Sequence, residues 1–404
     1  MRPVYLDNNA TTRTDPAVVA AMLPFFSEQF GNASSSHGFG SEVAGALRQA
    51  RKSLQSLLGA AFDHEVVFTS GGTESDNAAI LSAIETQTGR DEIVTTAVEH
   101  PAILSLVEHL QAARGIKVHL IGVDGAGRLD VDAYQRALGP RTAIASVMWA
   151  NNETGTLFPI EQLANLAHGC GALFHTDAVQ AVGKLPINLK SSAVDMLSLA
   201  GHKLHGPKGI GALFLRKGTP FGPLVRGGPQ ERRRRGGTEN VPGIVGLGKA
   251  AELAASQMDD ELTRVRSLRD HLEQGVIELI GHCSVLGDPE NRLPNTSNIA
   301  FQHLEGEAIV HRLNQAGIAA SLGSACASGS MEPSHVLRAM SVPAELLRGA
   351  IRFSLSRDNT IDDIEHVLQV LPEIIGRLRE TSPSWQQNRP AVSADPLRST
   401  ELMQ

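Results

Sequence analysis

The chain has 404 residues, with 36 Lys and Arg against 43 Asp and Glu, a net charge of −7 and three cysteines. This length buries a large core and exceeds one typical domain, and the acidic balance argues against nucleic acid or a membrane surface as the main partner. Cys170, Cys283 and Cys326 are far apart and odd in number, with no CxxC spacing, so they suggest neither a zinc site nor a disulfide framework and fit a reducing compartment.

The N-terminal stretch MRPVYLDNNATT has no long apolar run, so neither a signal peptide nor a membrane span is expected and the location is read as cytoplasmic. Over Ser41–Leu58, Val43, Leu47, Leu54, Leu57 and Leu58 recur at helical spacing and Gly59 offers a C-cap. Seven strand candidates follow, at Glu65–Thr69, Ile93–Thr96, Val118–Val123, Ala143–Met148, Ala172–His175, Met196–Leu199 and Ile210–Leu215, mostly separated by helical segments. That alternation predicts an α/β domain over about 15–257 with a mostly parallel, seven-stranded sheet.

After about residue 257 the pattern changes. Leu262, Val265, Leu272, Val276 and Leu279 mark a long amphipathic helix. A strand at Thr296–Phe301, a helix at Glu305–Ala316, a strand at Ile351–Leu355 and a helix at Ile361–Arg379 follow. A smaller α+β domain is expected from residues 258–380 together with 1–14. The stretch 381–404, rich in Pro and Ser and without periodicity, is expected to be disordered. Between the helix Glu305–Ala316 and the strand Ile351–Leu355 lies GSACASGS, where Cys326 stands among small residues with little to pack against. Read locally, it is either a reactive thiol or an ordinary loop cysteine.

In an open parallel sheet, ligands bind beyond the carboxyl ends of the strands. Five of the predicted strands end in polar clusters: Ser70-Gly71-Gly72-Thr73-Glu74, Glu99-His100-Pro101, Asn151-Asn152, Asp177 with Gln180, and Gly201-His202-Lys203. Gly71-Gly72-Thr73 opening a helix can be an anion site, or a plain turn with Thr73 as N-cap; it is not a Walker A loop, and no dinucleotide fingerprint follows a strand. Asp177 can hold a pyridinium nitrogen protonated or simply cap a helix. Lys203, between glycines and histidines, is placed to form a Schiff base with an aldehyde. His100 can stack on an aromatic ring or move protons. Together these groups describe a pyridoxal-phosphate site.

The wordings YLDNNATT (5–12), SGGTESDN (70–77), VEHPA (98–102), MWANNETGT (148–156), HTDAVQAVGK (175–184), GHKLHGPKG (201–209), RGGTEN (235–240), GSACASGS (323–330) and IRFSLSR (351–357) resemble the cysteine desulfurases, and within them the NifS branch. The resemblance implies the pyridoxal-phosphate-dependent transferase fold of type I, class V. It implies conversion of L-cysteine to L-alanine, with sulfur passed to an enzyme persulfide and onward to iron–sulfur assembly, for nitrogenase in that branch.

It also implies roles. Lys203 anchors the cofactor covalently. His100 stacks on its ring and helps move protons, Asp177 pairs with the ring nitrogen, and Gln180 contacts the ring hydroxyl. Gly72, Thr73 and His202 hold the phosphate, with Thr238 supplied across a homodimer interface. Asn152 and Arg352 grip the substrate carboxylate, and Asn152 also lies beside the cofactor. Cys326 is the sulfur-accepting nucleophile, and its persulfide could transiently hold a nascent iron–sulfur cluster with a scaffold partner. Where many of these enzymes have a phosphate-binding serine, this chain has Ala200, which leaves that position, and the adjacent Gly201, only backbone contacts. A selenocysteine lyase or a class V aminotransferase is a neighbouring reading, and a non-catalytic sulfur carrier or scaffold is a different one. The carrier would call for clustered cysteines, which this chain lacks, and an aminotransferase would not need Cys326.

Overall fold

The computed structural model describes residues 3–323 and 333–388. Its central sheet is built from β2 (Val66–Thr69), β3 (Glu92–Thr96), β4 (Lys117–Ile121), β5 (Thr142–Ser146), β6 (Leu173–Asp177), β7 (Met196–Ala200) and β8 (Gly211–Leu215), in the order β2-β8-β7-β6-β5-β3-β4. Only β8 runs against its neighbours. Strands β2, β5, β6, β7 and β8 are buried along their whole length, because helices cover both faces. That is why they read in the sequence as continuous apolar runs rather than alternating ones. The helix Gly38–Leu58 ends where Gly59 takes a left-handed conformation (φ 58°), as its C-cap position requires.

The chain starts elsewhere. Strand β1 (Val4–Tyr5) pairs in parallel with β11 (Ile318–Ala319). Val4 and Leu6 pack in a second core with Val265, Leu272, Phe353 and Ile375. Around that core stand an antiparallel sheet of β9 (Cys283–Leu286), β10 (Thr296–Phe301) and β12 (Ala350–Ser354), and the helices Arg266–Ile280 and Ile361–Thr381. From there residues 7–15 cross to the large sheet: Asn8 N donates to Ser354 O (3.1 Å), Thr12 N to His202 O (2.8 Å) and Asp15 N to His205 O (3.0 Å).

Cys283 opens β9, a short half-buried strand just beyond the end of the helix Arg266–Ile280. One expectation is corrected. Residues 383–388, expected to be disordered with the rest of 381–404, form a helix. A single residue docks it: Trp385 is 9% exposed, stacks under the Arg379 guanidinium at 4.2 Å and meets His282 edge-on. One aromatic anchor on an otherwise polar segment leaves no periodic signal. No helix among the described residues is long and apolar enough to cross a membrane.

Candidate active site

The carboxyl ends of β2, β3, β5, β6 and β7 surround a cavity of about 340 Å³. His100, Asn152, Asp177, Gln180, His202 and Lys203 all line it, and so do Gly72, Thr73, Ala200 and Arg352. Strand polarity does this: in parallel strands every carboxyl end faces one edge. Gly201 does not line the cavity. It is buried at the start of the tight turn Gly201–Lys203, with its N–H spent on Ile210 O (2.9 Å). Thr238 is exposed and lies away from the cavity, beside a separate depression of about 410 Å³ with Phe25 and Phe30. Cys326 lies outside the described residues; Gly323, three positions before it, is on the cavity wall.

Lys203 Nζ donates to the carbonyls of Asn9 and Ala10, the latter at 2.8 Å. Both belong to the crossing segment from the smaller core, and no reading of the residues around Lys203 signals them. His100 caps the helix Pro101–Arg114, its Nδ1 accepting from Ala102 N at 3.1 Å. That contact puts the ring's proton on Nε2 when neutral. Burial holds its pKa below the ordinary histidine value, against the pull of Asp177.

Asp177 is buried. Burial raises its pKa, opposed by the N–H of Val179 (2.9 Å) and the positive charges of His100 and Lys203. Asp76, which the sequence reading passed over, also lines the cavity. Its pKa is pushed well up by burial and by the charges of Asp177 and Glu99.

Arg352 is 1% exposed. Its Nη2 pairs with Asp7 (2.7 Å), and its Nη1 donates to Asn152 O (2.9 Å) and Gly323 O (3.2 Å). Nε is buried with no partner among the described residues. The guanidinium is thus fixed by three partners, and of its five N–H groups the one on Nε and the second on Nη2 have none among the described residues. Asp7 sits in the YLDNNATT motif, where only its place in a familiar wording marked it.

The residues present fit pyridoxal phosphate. The helix Gly72–Thr86 offers its N-terminus, with its partial positive charge, at the cavity. A Cβ at residue 72 would come within 2.8 Å of Val179 Cγ2, so a larger residue there would have to displace that side chain. His202, held near neutrality by a pKa of about 4, caused by burial and then by Lys203, touches Thr11 Oγ1 at 3.2 Å. Ala200 supplies no hydroxyl.

Outside the cavity, Glu99 is fully buried, accepting from Thr96 Oγ1 (2.8 Å) and Met148 N (2.9 Å) at one oxygen. Its other oxygen has no partner among the described residues. Burial pushes its pKa up to about 8. A carboxyl raised in this way contributes its full stability below its unfolded value, near ~4.3, and loses it as pH climbs to about 8. Glu99→Gln keeps the shape without the ionisation. Its melting temperature should therefore gain on wild type progressively from weakly acidic pH to about 8; identical pH dependence in both proteins would refute the assignment.

In the run Arg232–Arg235, Arg232 and Arg233 are exposed and Arg234 and Arg235 are partly buried. Arg235 Nε pairs with Glu74 (3.0 Å), Arg234 Nε donates to Glu231 O (3.1 Å), and Glu231 is clamped by Arg51.

Residues 4–367 match the family model described as aminotransferase class-V. The chain is 69% identical over 385 residues to a cysteine desulfurase of Gluconacetobacter diazotrophicus, covering 95% of this chain and 96% of that one. It is 59% identical over 390 residues to the cysteine desulfurase NifS of Azotobacter vinelandii, covering 96% and 97%. Among solved structures, a NifS-like protein superposes with a TM-score of 0.87 at 37% identity, over 93% of this chain and all of that one.

Proposed function

We infer from membership of this chain in the class-V aminotransferase family, and within it in the NifS-type cysteine desulfurases, that it converts L-cysteine and an enzyme thiol to L-alanine and an enzyme persulfide. One observation carries the reading at the level of the site. An amine (Lys203), a buried carboxyl (Asp177), an imidazole (His100) and a helix N-terminus (Gly72–Thr73) line one cavity at the carboxyl edge of a parallel sheet.

Lys203 would hold pyridoxal phosphate covalently, with Gly72, Thr73 and His202 at the phosphate, Asp177 at the ring nitrogen, Gln180 and Asn152 beside the ring, and His100 over it. When bound, this cofactor supplies an electron-poor ring that accepts the pair released at the substrate Cα. Asp177 becomes a full carboxylate against a cationic ring nitrogen, because an opposite charge reverses the cost of burial. Lys203 Nζ is the amine placed to move the Cα proton. Arg352 and the side chain of Asn152 receive the substrate carboxylate.

Cys326 takes the sulfur. The Cβ–S bond of the substrate breaks, an S–S bond forms at Cys326, and the proton lost by the thiol balances the one gained at the alanine methyl. His100 and the substrate amine are the candidate acceptors for that thiol proton; at His100 the accepting atom is Nδ1, so the contact from Ala102 N must open first.

Asp177→Asn should lower turnover by on the order of 10²-fold, with the protein still folded. A kcat equal to wild type would remove Asp177 from the ring nitrogen.

The exposed Thr238, away from its own chain's cavity, supports a homodimer in which it completes the partner's phosphate site. A solution mass equal to one chain, 43.0 kDa, would rule that out. We further propose that the persulfide sulfur goes to an iron–sulfur scaffold in the cytoplasm, for nitrogenase. The organisation into a large domain (15–257) and a small one (1–14 with 258–380) is likewise proposed, supported by the separate core that Val4 and Leu6 share with residues 265–375.

The direct test is incubation of the purified full chain with L-cysteine under reducing conditions. Alanine and sulfide in equal amounts are expected; a keto acid without sulfide would favour an aminotransferase.

A further inference from the structure

Beneath the cavity floor lies a buried cation with no part in the chemistry above. Lys184 is 5% exposed. Its Nζ donates to Gln180 O (3.1 Å) and to Gln180 Oε1 (3.3 Å). The Gln180 Nε2 in turn donates to Asn9 O (3.0 Å), the carbonyl that also receives Lys203 Nζ.

An amide oxygen and nitrogen are interchangeable in shape, so only their partners decide which way the group faces. Here both partners agree. Lys184 can only donate and the Asn9 carbonyl can only accept, so Oε1 must face Lys184 and Nε2 must face Asn9. Nε2 has a second N–H, and Gln180 lines the cavity.

The cation has a built environment of its own. A second, small cavity of about 20 Å³ is lined by Lys184, Lys203, Gln257 and Glu261. Gln257 Oε1 and Glu261 Oε2 are both buried without a partner among the described residues. The volume suits one water, and these three groups supply the polar partners it needs. Glu261 begins the π-helical turn Glu261–Val265, where the chain passes into the smaller core. Its charge favours the protonated form of Lys184 against the cost of burial.

We propose that Lys184 is a positioning residue for the cofactor: it locks the Gln180 amide so that its N–H group, not its carbonyl, is presented to the bound ring. This rests on the reading that Gln180 lies beside that ring. A neutral apolar side chain at 184 removes one of the two constraints and leaves the amide held by the Asn9 carbonyl alone, so the flipped form, which offers the ring oxygen another oxygen, becomes more populated.

The test is a double-mutant cycle on the full-length protein, titrated with pyridoxal 5′-phosphate and read by affinity and by the visible absorbance maximum, without turnover. Lys184→Met and Gln180→Ala should each weaken binding by about fivefold and shift the band, and the double variant should be no worse than Gln180→Ala alone. Lys184→Gln, which lacks the ammonium but keeps a polar end, repeats the cycle should the methionine variant not fold. A Lys184 effect that persists undiminished in the Gln180→Ala background overturns the proposal while leaving the cofactor site intact. Wild-type affinity and spectrum in Gln180→Ala alone overturns the Gln180 contact, and the proposal with it.

Discussion

Cys326→Ala should keep its cofactor and lose its turnover. The cavity wall that holds Lys203, Asp177 and Arg352 also includes Gly323, three positions before Cys326 in the sequence. No other cysteine shares that position. Cys170 closes the helix Ile160–Gly169, its Sγ directed at Ala167 O (3.2 Å). Cys283 sits in β9, its thiol pKa raised by burial.

A thiol nucleophile cannot be replaced by a methyl group, so sulfide and alanine formation should both fall by on the order of 10³-fold or more. The visible cofactor band and the affinity for pyridoxal phosphate should stay at wild-type values, because no residue proposed to hold the cofactor has changed. Alanine formation that continues at the wild-type rate would show that sulfur leaves without Cys326, and the aminotransferase or lyase reading would gain.

Lys203→Ala is expected to lose both properties. Its amine is the covalent anchor and the proton carrier in the proposed mechanism, so turnover should fall by at least about 10³-fold, and the absorbance of the linked cofactor should disappear. The phosphate cradle at Gly72, Thr73 and His202 does not depend on this side chain. Weaker, non-covalent binding should therefore survive, and a small primary amine added to the solution should restore part of the activity. The variant also removes the donor shared by the Asn9 and Ala10 carbonyls. A modest loss of melting temperature in the cofactor-free protein should accompany the catalytic loss and should not be reversed by the amine. Wild-type turnover in Lys203→Ala would end the account.

Much of this site could be read in one dimension because the sheet is parallel. The polar clusters at 70–74, 99–101, 151–152, 177–180 and 201–203 each follow an apolar strand. A parallel sheet carries every such cluster to one edge without further information. The exception proves the mechanism: β8 runs antiparallel to β2 and β7, its carboxyl end points away, and Arg216 after it is spent on the carbonyls of Val194, Leu189 and Ser192.

What could not be read depends on contacts across great sequence distance. Asn9 and Ala10 meet Lys203 across more than 190 residues. They do so only because β1 pairs with β11 and Asn8 is tied to Ser354, which swings residues 7–15 over the cavity. Asp7 is brought to Arg352 by the same crossing. Gln180 and Lys184 are four apart and could suggest a helical pair, yet the segment is a series of turns through Gly183. The amide's orientation is set by Lys184 from below and Asn9 from the side.

The order of apolar runs and the polar residues that end them therefore determined, from the chain alone, the sheet, its active edge and the groups gathered there, since those depend on local pattern and strand direction. The three-dimensional packing alone decided the raised pKa values of Asp76, Glu99 and Asp177, the three partners that hold Arg352 and the orientation of Gln180. Each of those is set by burial or by a partner from another part of the chain, and neither desolvation nor a long-range hydrogen bond leaves a trace in the spacing of residues.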